Sequence, residues 1–232
     1  MPKKKKIRVK VKKRKLKIKN ILILILLIIL IYNMIIYILN LKISNIYIVN
    51  NSLLTDKEII NLANLSDYPS FILTSSKDIK TNLYKNKLIK EIKVKKELFG
   101  KIYIYITEYK PIAIYNNQLL LDNGSLIDNI YDLNLPIIKN DISSIYDDYI
   151  ASFSLIDSDI LYKISEIEYV PNDVDKERFL IYMTDGNYVY MTLNKITKLN
   201  TYNSIVDQLE GKHGIIYLDS GDYFEIKEES PS

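Results

Sequence analysis

An uninterrupted apolar run, Ile21 to Leu41 (ILILILLIILIYNMIIYILNL), carries no charged residue. As a helix rising about 1.5 Å per residue it would be about 31 Å long, matching the hydrocarbon thickness of a bilayer. Its polar residues, Tyr32, Asn33, Tyr37 and Asn40, gather in the second half, and tyrosines mark membrane interfaces. A cleaved signal needs only about 7–15 apolar residues and a small-residue cleavage site. This run is longer and no such site follows, so it predicts a retained anchor.

Beyond the anchor the pattern changes. Ile43 to Asn50 alternates Ile46 and Ile48 against Tyr47 and Val49, which predicts a strand. Thr55-Asp56-Lys57-Glu58 fits a capping box, and Ile59, Ile60 and Ala63 follow at helical spacing. A second helix is expected from Ser75 or Ser76, with Ile79 and Leu83 on one face. Ile92 and Val94 alternate with Lys93 and Lys95 before a turn at Glu97–Gly100. Ile102, Ile104 and Ile106 then alternate with Tyr103, Tyr105 and Thr107. A period of two buries the isoleucines and turns the tyrosines to the opposite face. The order is β-α-α-β-β, an α+β module with two helices on one face of a three-stranded sheet.

The second half reads as hairpins interleaved with helices. Strands are expected at 112–115 and 118–121, with Asp122-Asn123-Gly124 as a turn. A helix is expected over 141–161, with Ile145, Tyr149, Phe153 and Ile156 near one face, then a strand at 164–170. Phe179–Met183 and Tyr188–Met191 flank Thr184–Asn187. A helix over 192–209 follows, with Ile196, Leu199, Tyr202, Ile205 and Leu209 spaced three or four apart. Gly214–Leu218 and Tyr223–Lys227 flank Asp219-Ser220-Gly221-Asp222 as a last hairpin. The expected organisation is a tail at 1–20, a transmembrane helix at 21–41, a first domain at 42–111, a mainly antiparallel β domain at 112–228, and a C-terminal tail at 229–232.

Charge adds an orientation. Residues 1–20 hold 12 Lys and Arg and no acid; removing them from the chain's 32 bases leaves 20 against 28 acids, a net of −8. A basic flank before the span and only Lys42 close after it places the N-terminus in the cytoplasm by the positive-inside rule. An acidic body lacks the cationic surface that phosphate contacts need, so nucleic acid is not an expected partner.

Catalytic chemistry finds little support. Cysteine is absent and His213, the single histidine, lies in the loop Glu210–Gly214. Nucleophile schemes built on Cys-His or G-x-S-x-G therefore lack their parts, and zinc lacks its ligands. Six glycines form no phosphate-cradling loop. Asp141, Asp147, Asp148, Asp157 and Asp159 do not match the spacing of a calcium loop, and read as a solvated helix face. No cofactor, metal or small-molecule substrate is expected. An anchored Ser/Lys hydrolase remains as the enzyme alternative, although nothing marks such a pair.

The local phrases, in their order, carry a resemblance. NNSLLTDKEIINLANL follows the first strand, then FILTSSKDIKTNLYKNKLIKEIKVKKEL and KIYIYITEYKPIAIY. Together they resemble a POTRA domain of the FtsQ/DivIB type, from the bacterial division machinery. Thr107-Glu108-Tyr109-Lys110-Pro111-Ile112-Ala113 resembles that family's junction between its two domains, so Glu108, Lys110 and Pro111 are the expected junction residues. LLLDNGSLID, at 119–128, resembles the hairpin that opens the family's β domain. Two departures are Tyr109, where Arg or Lys is commoner, and Leu98-Phe99-Gly100 in place of a Pro-Asn turn.

The resemblance implies a non-enzymatic scaffold at the division septum. It implies partners of the FtsB/DivIC and FtsL types, small single-pass coiled-coil proteins, and a regulated septal peptidoglycan synthase. Mapped onto this chain, the partner strand would lie along 217–226, and the expected contacts are Tyr217, Leu218, Tyr223, Phe224, Glu225 and Ile226. Independently of any family, edge strands present unpaired N–H and C=O groups to which another strand can add, and aromatics are enriched in interfaces. Ordinary core packing is the competing reading of those aromatics. A different anchored binding module, in a surface or secretion system, is the competing reading of the whole.

Overall fold

The computed structural model describes residues 17–226. The basic segment through residue 16 and everything from residue 227 on, including Lys227 and the tail at 229–232, lie outside the described residues. Helix α1 spans Ile18–Leu39, and none of its residues is buried by protein. Its 22 residues give a rod about 33 Å long. Asn33 donates from its amide nitrogen to the Ile29 carbonyl at 2.8 Å, so this polar side chain is satisfied within its own helix. The helix ends two residues before the apolar run does. Ser70 donates its hydroxyl to the Leu39 carbonyl at 2.5 Å, and the Phe71 N–H donates to the Leu41 carbonyl at 2.8 Å. The following domain thus takes carbonyls that another helical turn would need.

The smaller unit comprises β1 (Asn45–Val49), α2 (Asp56–Leu62), α3 (Ser76–Leu83), β2 (Ile89–Glu97) and β3 (Lys101–Glu108). Its sheet has the order β1-β3-β2, with β1 parallel to β3 and β2 antiparallel to it. The capping box is complete: Thr55 accepts from the Glu58 N–H while Glu58 accepts from the Thr55 N–H. Ser75 caps α3 by accepting from the Asp78 N–H. Ile102, Ile104 and Ile106 are buried with Ile59, Ile79 and Leu83, and Tyr47 and Tyr103 stack on the opposite face at 4.7 Å. The alternation in β3 thus sorts the core from the surface, and the α+β reading of the chain holds.

The larger sheet runs β12-β11-β10-β9-β8-β7-β4-β5-β6. Its strands are β4 (Pro111–Tyr115), β5 (Gln118–Leu121), β6 (Leu126–Asp128), β7 (Ile137–Ile138), β8 (Ile164–Tyr169), β9 (Arg178–Met183), β10 (Tyr188–Thr192), β11 (Gly214–Tyr217) and β12 (Tyr223–Ile226). Antiparallel hairpins dominate, but β4–β7, β7–β8 and β10–β11 pair in parallel. The two-residue β7 was not foreseen, being too short to show a period.

Two expected helices are broken. Over 141–161 the chain forms a short 3-10 turn at Ser143–Ile145, α4 at Tyr146–Phe153 and α5 at Ser158–Leu161. Between α4 and α5, Asn200 donates to the Leu155 carbonyl and accepts from the Asp157 N–H, while Lys110 claims the Ile156 carbonyl. Over 192–209, Leu193–Thr201 is a 3-10 helix and only Tyr202–Gln208, α6, is α-helical. Leu193, Ile196, Leu199 and Tyr202 are all buried. A strict spacing of three lines up one face of a helix with three residues per turn.

Candidate partner-binding edge and domain junction

The last hairpin places β12 at one edge of the larger sheet. Among the described residues it pairs only with β11, in the register Gly214↔Ile226, Ile215↔Glu225, Ile216↔Phe224 and Tyr217↔Tyr223. Tyr223 is 51% exposed and Ile226 55%. Phe224 is half-buried and packs on the larger core, where a shallow groove runs between β12 and α6, lined by Ile205, Leu209, Ile216 and Phe224. On the other face Tyr217 stacks between Tyr223 at 4.4 Å and Tyr190 at 5.3 Å. The Tyr217 hydroxyl donates to Glu225 at 3.2 Å. Burial, and next that bond to a carboxylate, hold its pKa above the usual phenol value.

Leu218 differs from its neighbours. It is only 4% exposed, and its N–H donates to the Tyr190 carbonyl at 2.9 Å. Its side chain packs in the larger core and lines the inner wall of the β12–α6 groove, so it presents little surface of its own.

Residues that sequence reasoning treated as turn chemistry hold this edge in place. Arg178 donates its Nε to Asp219 at 2.7 Å and lies over the Tyr190 ring at 3.8 Å. Lys195 donates to the Asp219 carbonyl at 2.6 Å, and Lys198 pairs with Asp222 at 2.6 Å. Burial alone would raise the Asp219 carboxyl, but the hydrogen bonds from Arg178 and Ser220 outweigh it and leave its pKa below the ordinary value. Asn187, 1% exposed, accepts from the Gly214 N–H at 3.0 Å and donates to the Tyr202 hydroxyl at 3.1 Å. Tyr202 in turn donates to Asp185, and burial first of all pushes its phenol upward. Gly214 itself is required: a Cβ there would stand 2.0 Å from the Glu225 carbonyl oxygen.

The junction residues also find partners. Glu108, the last residue of β3, accepts from the N–H groups of Ser52 at 3.2 Å, Leu53 at 2.7 Å and Leu54 at 3.1 Å. It therefore fixes the loop that enters α2. Lys110 exchanges hydrogen bonds with Asp122: its N–H donates to the side chain, and the Asp122 N–H donates to its carbonyl. Its Nζ reaches the Ile156 carbonyl at 2.6 Å, and burial lowers its pKa. Pro111 opens β4 opposite Leu121. Leu121 buries its side chain in the core of the smaller unit, and Ile127 and Tyr131 touch both cores.

The other polar candidates are accounted for locally. His213 is exposed between α6 and β11. Asp141 accepts from Tyr115 and from both the N–H and the hydroxyl of Ser143, which lowers its pKa. Among the described residues no three His, Cys, Asp or Glu side chains are grouped to hold a metal.

Residues 41–109 match the family model for the POTRA domain of the FtsQ type. Among the described residues one helix is long and apolar enough to cross a membrane, and it stands immediately before that domain, the arrangement of a membrane-anchored POTRA protein. The cell division protein DivIB of Bacillus subtilis is 32% identical over 194 residues, covering 79% of this chain and 74% of that protein. DivIB of Bacillus anthracis is 29% identical over 191 residues, covering 78% and 72%. The major extracytoplasmic domain of DivIB from Geobacillus stearothermophilus aligns with a TM-score of 0.37 and 23% identity, over 45% of this chain and 96% of that chain. The chain belongs to the DivIB family of bacterial cell division proteins.

Proposed function

We propose that this protein is a non-enzymatic scaffold at the septum, and that it captures a strand of a membrane-anchored partner on the free edge of β12. The observation that carries the reading is that edge: β12 pairs on one side only among the described residues, and Tyr223 and Ile226 stand exposed along it. An added strand gains main-chain hydrogen bonds from the edge, and alternate side chains supply specificity. Here those side chains would meet Tyr223 and Glu225 on one face, and Phe224, Ile226 and the α6 groove on the other. The family suggests small single-pass coiled-coil proteins of the FtsB/DivIC and FtsL types as the partners, and the septal peptidoglycan synthase as the enzyme they regulate. With the N-terminus in the cytoplasm, the folded body and its partners share the outer surface of one bilayer. That confinement raises their effective concentration, so a short strand contact suffices.

Photo-crosslinking in dividing cells tests this reading, with the probe at Tyr223 and a control probe at Tyr103. Capture of a small single-pass coiled-coil protein at Tyr223 alone is the expected outcome. If Tyr223 captures nothing where the protein is made normally, the edge is not the docking site. A captured protein with no part in division would count against the septal role.

A further inference from the structure

We propose that two loops at the base of the smaller unit insert their apolar side chains into the outer leaflet of the bilayer that α1 crosses. The loops are residues 68–73 and the β2–β3 turn at residues 98–100. They carry exposed large side chains: Leu98 at 79%, Phe99 at 89%, Leu73 at 68%, Ile72 at 47% and Tyr68 at 43%. Elsewhere in the smaller unit, outside these loops, only Tyr47 and Tyr84 are exposed to a similar degree, so five such side chains at one end stand out from the scatter of single exposed residues that any surface shows.

Their position relative to the span is fixed by hydrogen bonds. The first loop holds the chain as it leaves α1, through Ser70 to Leu39, Phe71 to Leu41, and the Ile43 N–H to the Pro69 carbonyl at 3.0 Å. The second loop holds the next residues: the Ser44 N–H donates to the Gly100 carbonyl at 2.8 Å, and the Ser44 hydroxyl to the Phe99 carbonyl at 2.6 Å. Gly100 lies so close that a Cβ there would stand 2.9 Å from the Lys42 carbonyl. The parallel register Asn45↔Lys101 sets the turn level with the start of β1. Only residues 40–44 separate that level from the end of α1. At no more than about 3.5 Å per residue they reach about 18 Å at full extension. The headgroup region outside the hydrocarbon is about 5–8 Å deep, and interfacial segments bury about 5–10 Å into its boundary. The Ser70 bond to Leu39 sets the first loop at the end of the span itself, and the second loop lies beside the next residues of the chain, so both stand at the membrane end of the smaller unit.

Phe99 gives the second line of argument. It adopts φ of 65°, a left-handed conformation that bulky residues rarely take. A glycine or asparagine would suit the fold better, yet the chain carries a fully presented phenylalanine, the kind of side chain that membrane-surface segments place toward lipid. Lys42, paired across a bridge to Ser70, adds a cation at headgroup level.

The inference rests on α1 spanning the membrane, and the test separates the two. The chain has no tryptophan, so single-tryptophan variants of the full chain report one position each. F99W, L73W, L30W and V174W are reconstituted in phosphatidylcholine–phosphatidylglycerol vesicles with brominated acyl chains. Leu30 lies mid-span, and Val174 is 97% exposed in the larger unit. The expected result is strong quenching of L30W and several-fold stronger quenching of F99W and L73W than of V174W, with emission moved to shorter wavelength. Quenching of L30W with F99W and L73W no better quenched than V174W overturns the proposal while leaving the span intact. A blue-shifted but unquenched F99W also overturns it, because protein rather than lipid then covers the turn. An unquenched L30W removes the span, and the proposal with it.

Discussion

At the residue scale, single polar side chains decide where the last hairpin sits. Asp219 belongs to a tetrad of turn residues, and the sequence supports only a turn there. Its partner Arg178 lies 41 positions earlier, and no local pattern links the two. The pairing becomes visible only when β9, β10 and β11 are set side by side. Because the folded carboxyl titrates below its unfolded value near 4, the folded state binds fewer protons in that range. The stability it contributes is fully present above the unfolded value and is lost as pH falls through the folded one. D219N should cost about 1.5–3 kcal/mol at neutral pH, the range for a hydrogen bond to a charged group. It should also flatten the loss of thermal stability between about pH 5 and 3. Melting curves across that range, for the parent and the variant, check both the size and the slope. An equal acid slope in the two proteins would remove Asp219 as its source.

At the scale of elements, a period of two was fully legible and a period of three was not. Ile102, Ile104 and Ile106 announce β3 because alternation in a strand has no competing explanation. Leu193, Ile196, Leu199 and Tyr202 fit an α-helical face almost as well as a 3-10 face, and only the burial of all four selects the tighter helix. The break between α4 and α5 was hidden for another reason: Asn200 and Lys110, distant in sequence, take the carbonyls of Leu155 and Ile156. At the candidate site the aromatic letters of β12 were legible, whereas the depth of Leu218, expected as a partner contact and 4% exposed, was not. Gly214 passed as an ordinary strand residue. Its backbone approach to Glu225 makes a sharp prediction. G214A must push β12 away from β11 or strain both, at about 1–3 kcal/mol for an overpacked site. Hydrogen exchange should then show faster amide exchange in 214–217 and 223–226, with β2 and β3 unchanged. Crosslinking from Tyr223 should fall in parallel. Unaltered protection in β11 and β12 would mean that the sheet absorbs the methyl group elsewhere.

At the scale of the whole molecule, the question is whether the membrane end and the partner edge move as one body. The junction phrase was recognisable by its letters, but its mechanical role was not. Glu108 gathers three N–H groups of the loop before α2, and Lys110 reaches across to the α4–α5 connection. Leu121 closes the smaller core from the larger sheet. Lys110 and Leu121 bind the two units to each other, and Glu108 stiffens the loop before α2 within the smaller unit, so a fixed angle follows rather than a free hinge. A rigid body would set the height of β12 above the membrane, which a partner rooted in the same bilayer must match. The chain lacks cysteine, so spin labels at K93C and K176C, both exposed and one on each unit, report a single distance in the full-length protein. The parent should give one narrow distribution. Replacing Glu108 by Ala and Lys110 by Met removes four hydrogen bonds to the loop and to Ile156 and leaves the Leu121 contact. The distribution should broaden while far-ultraviolet circular dichroism stays the same. K110M alone should broaden it less, because burial already disfavours the lysine's charge and the aliphatic stem still packs. A broad distribution in the parent would instead make the junction a flexible link, and β12 would then search for its partner over a range of heights rather than wait at one.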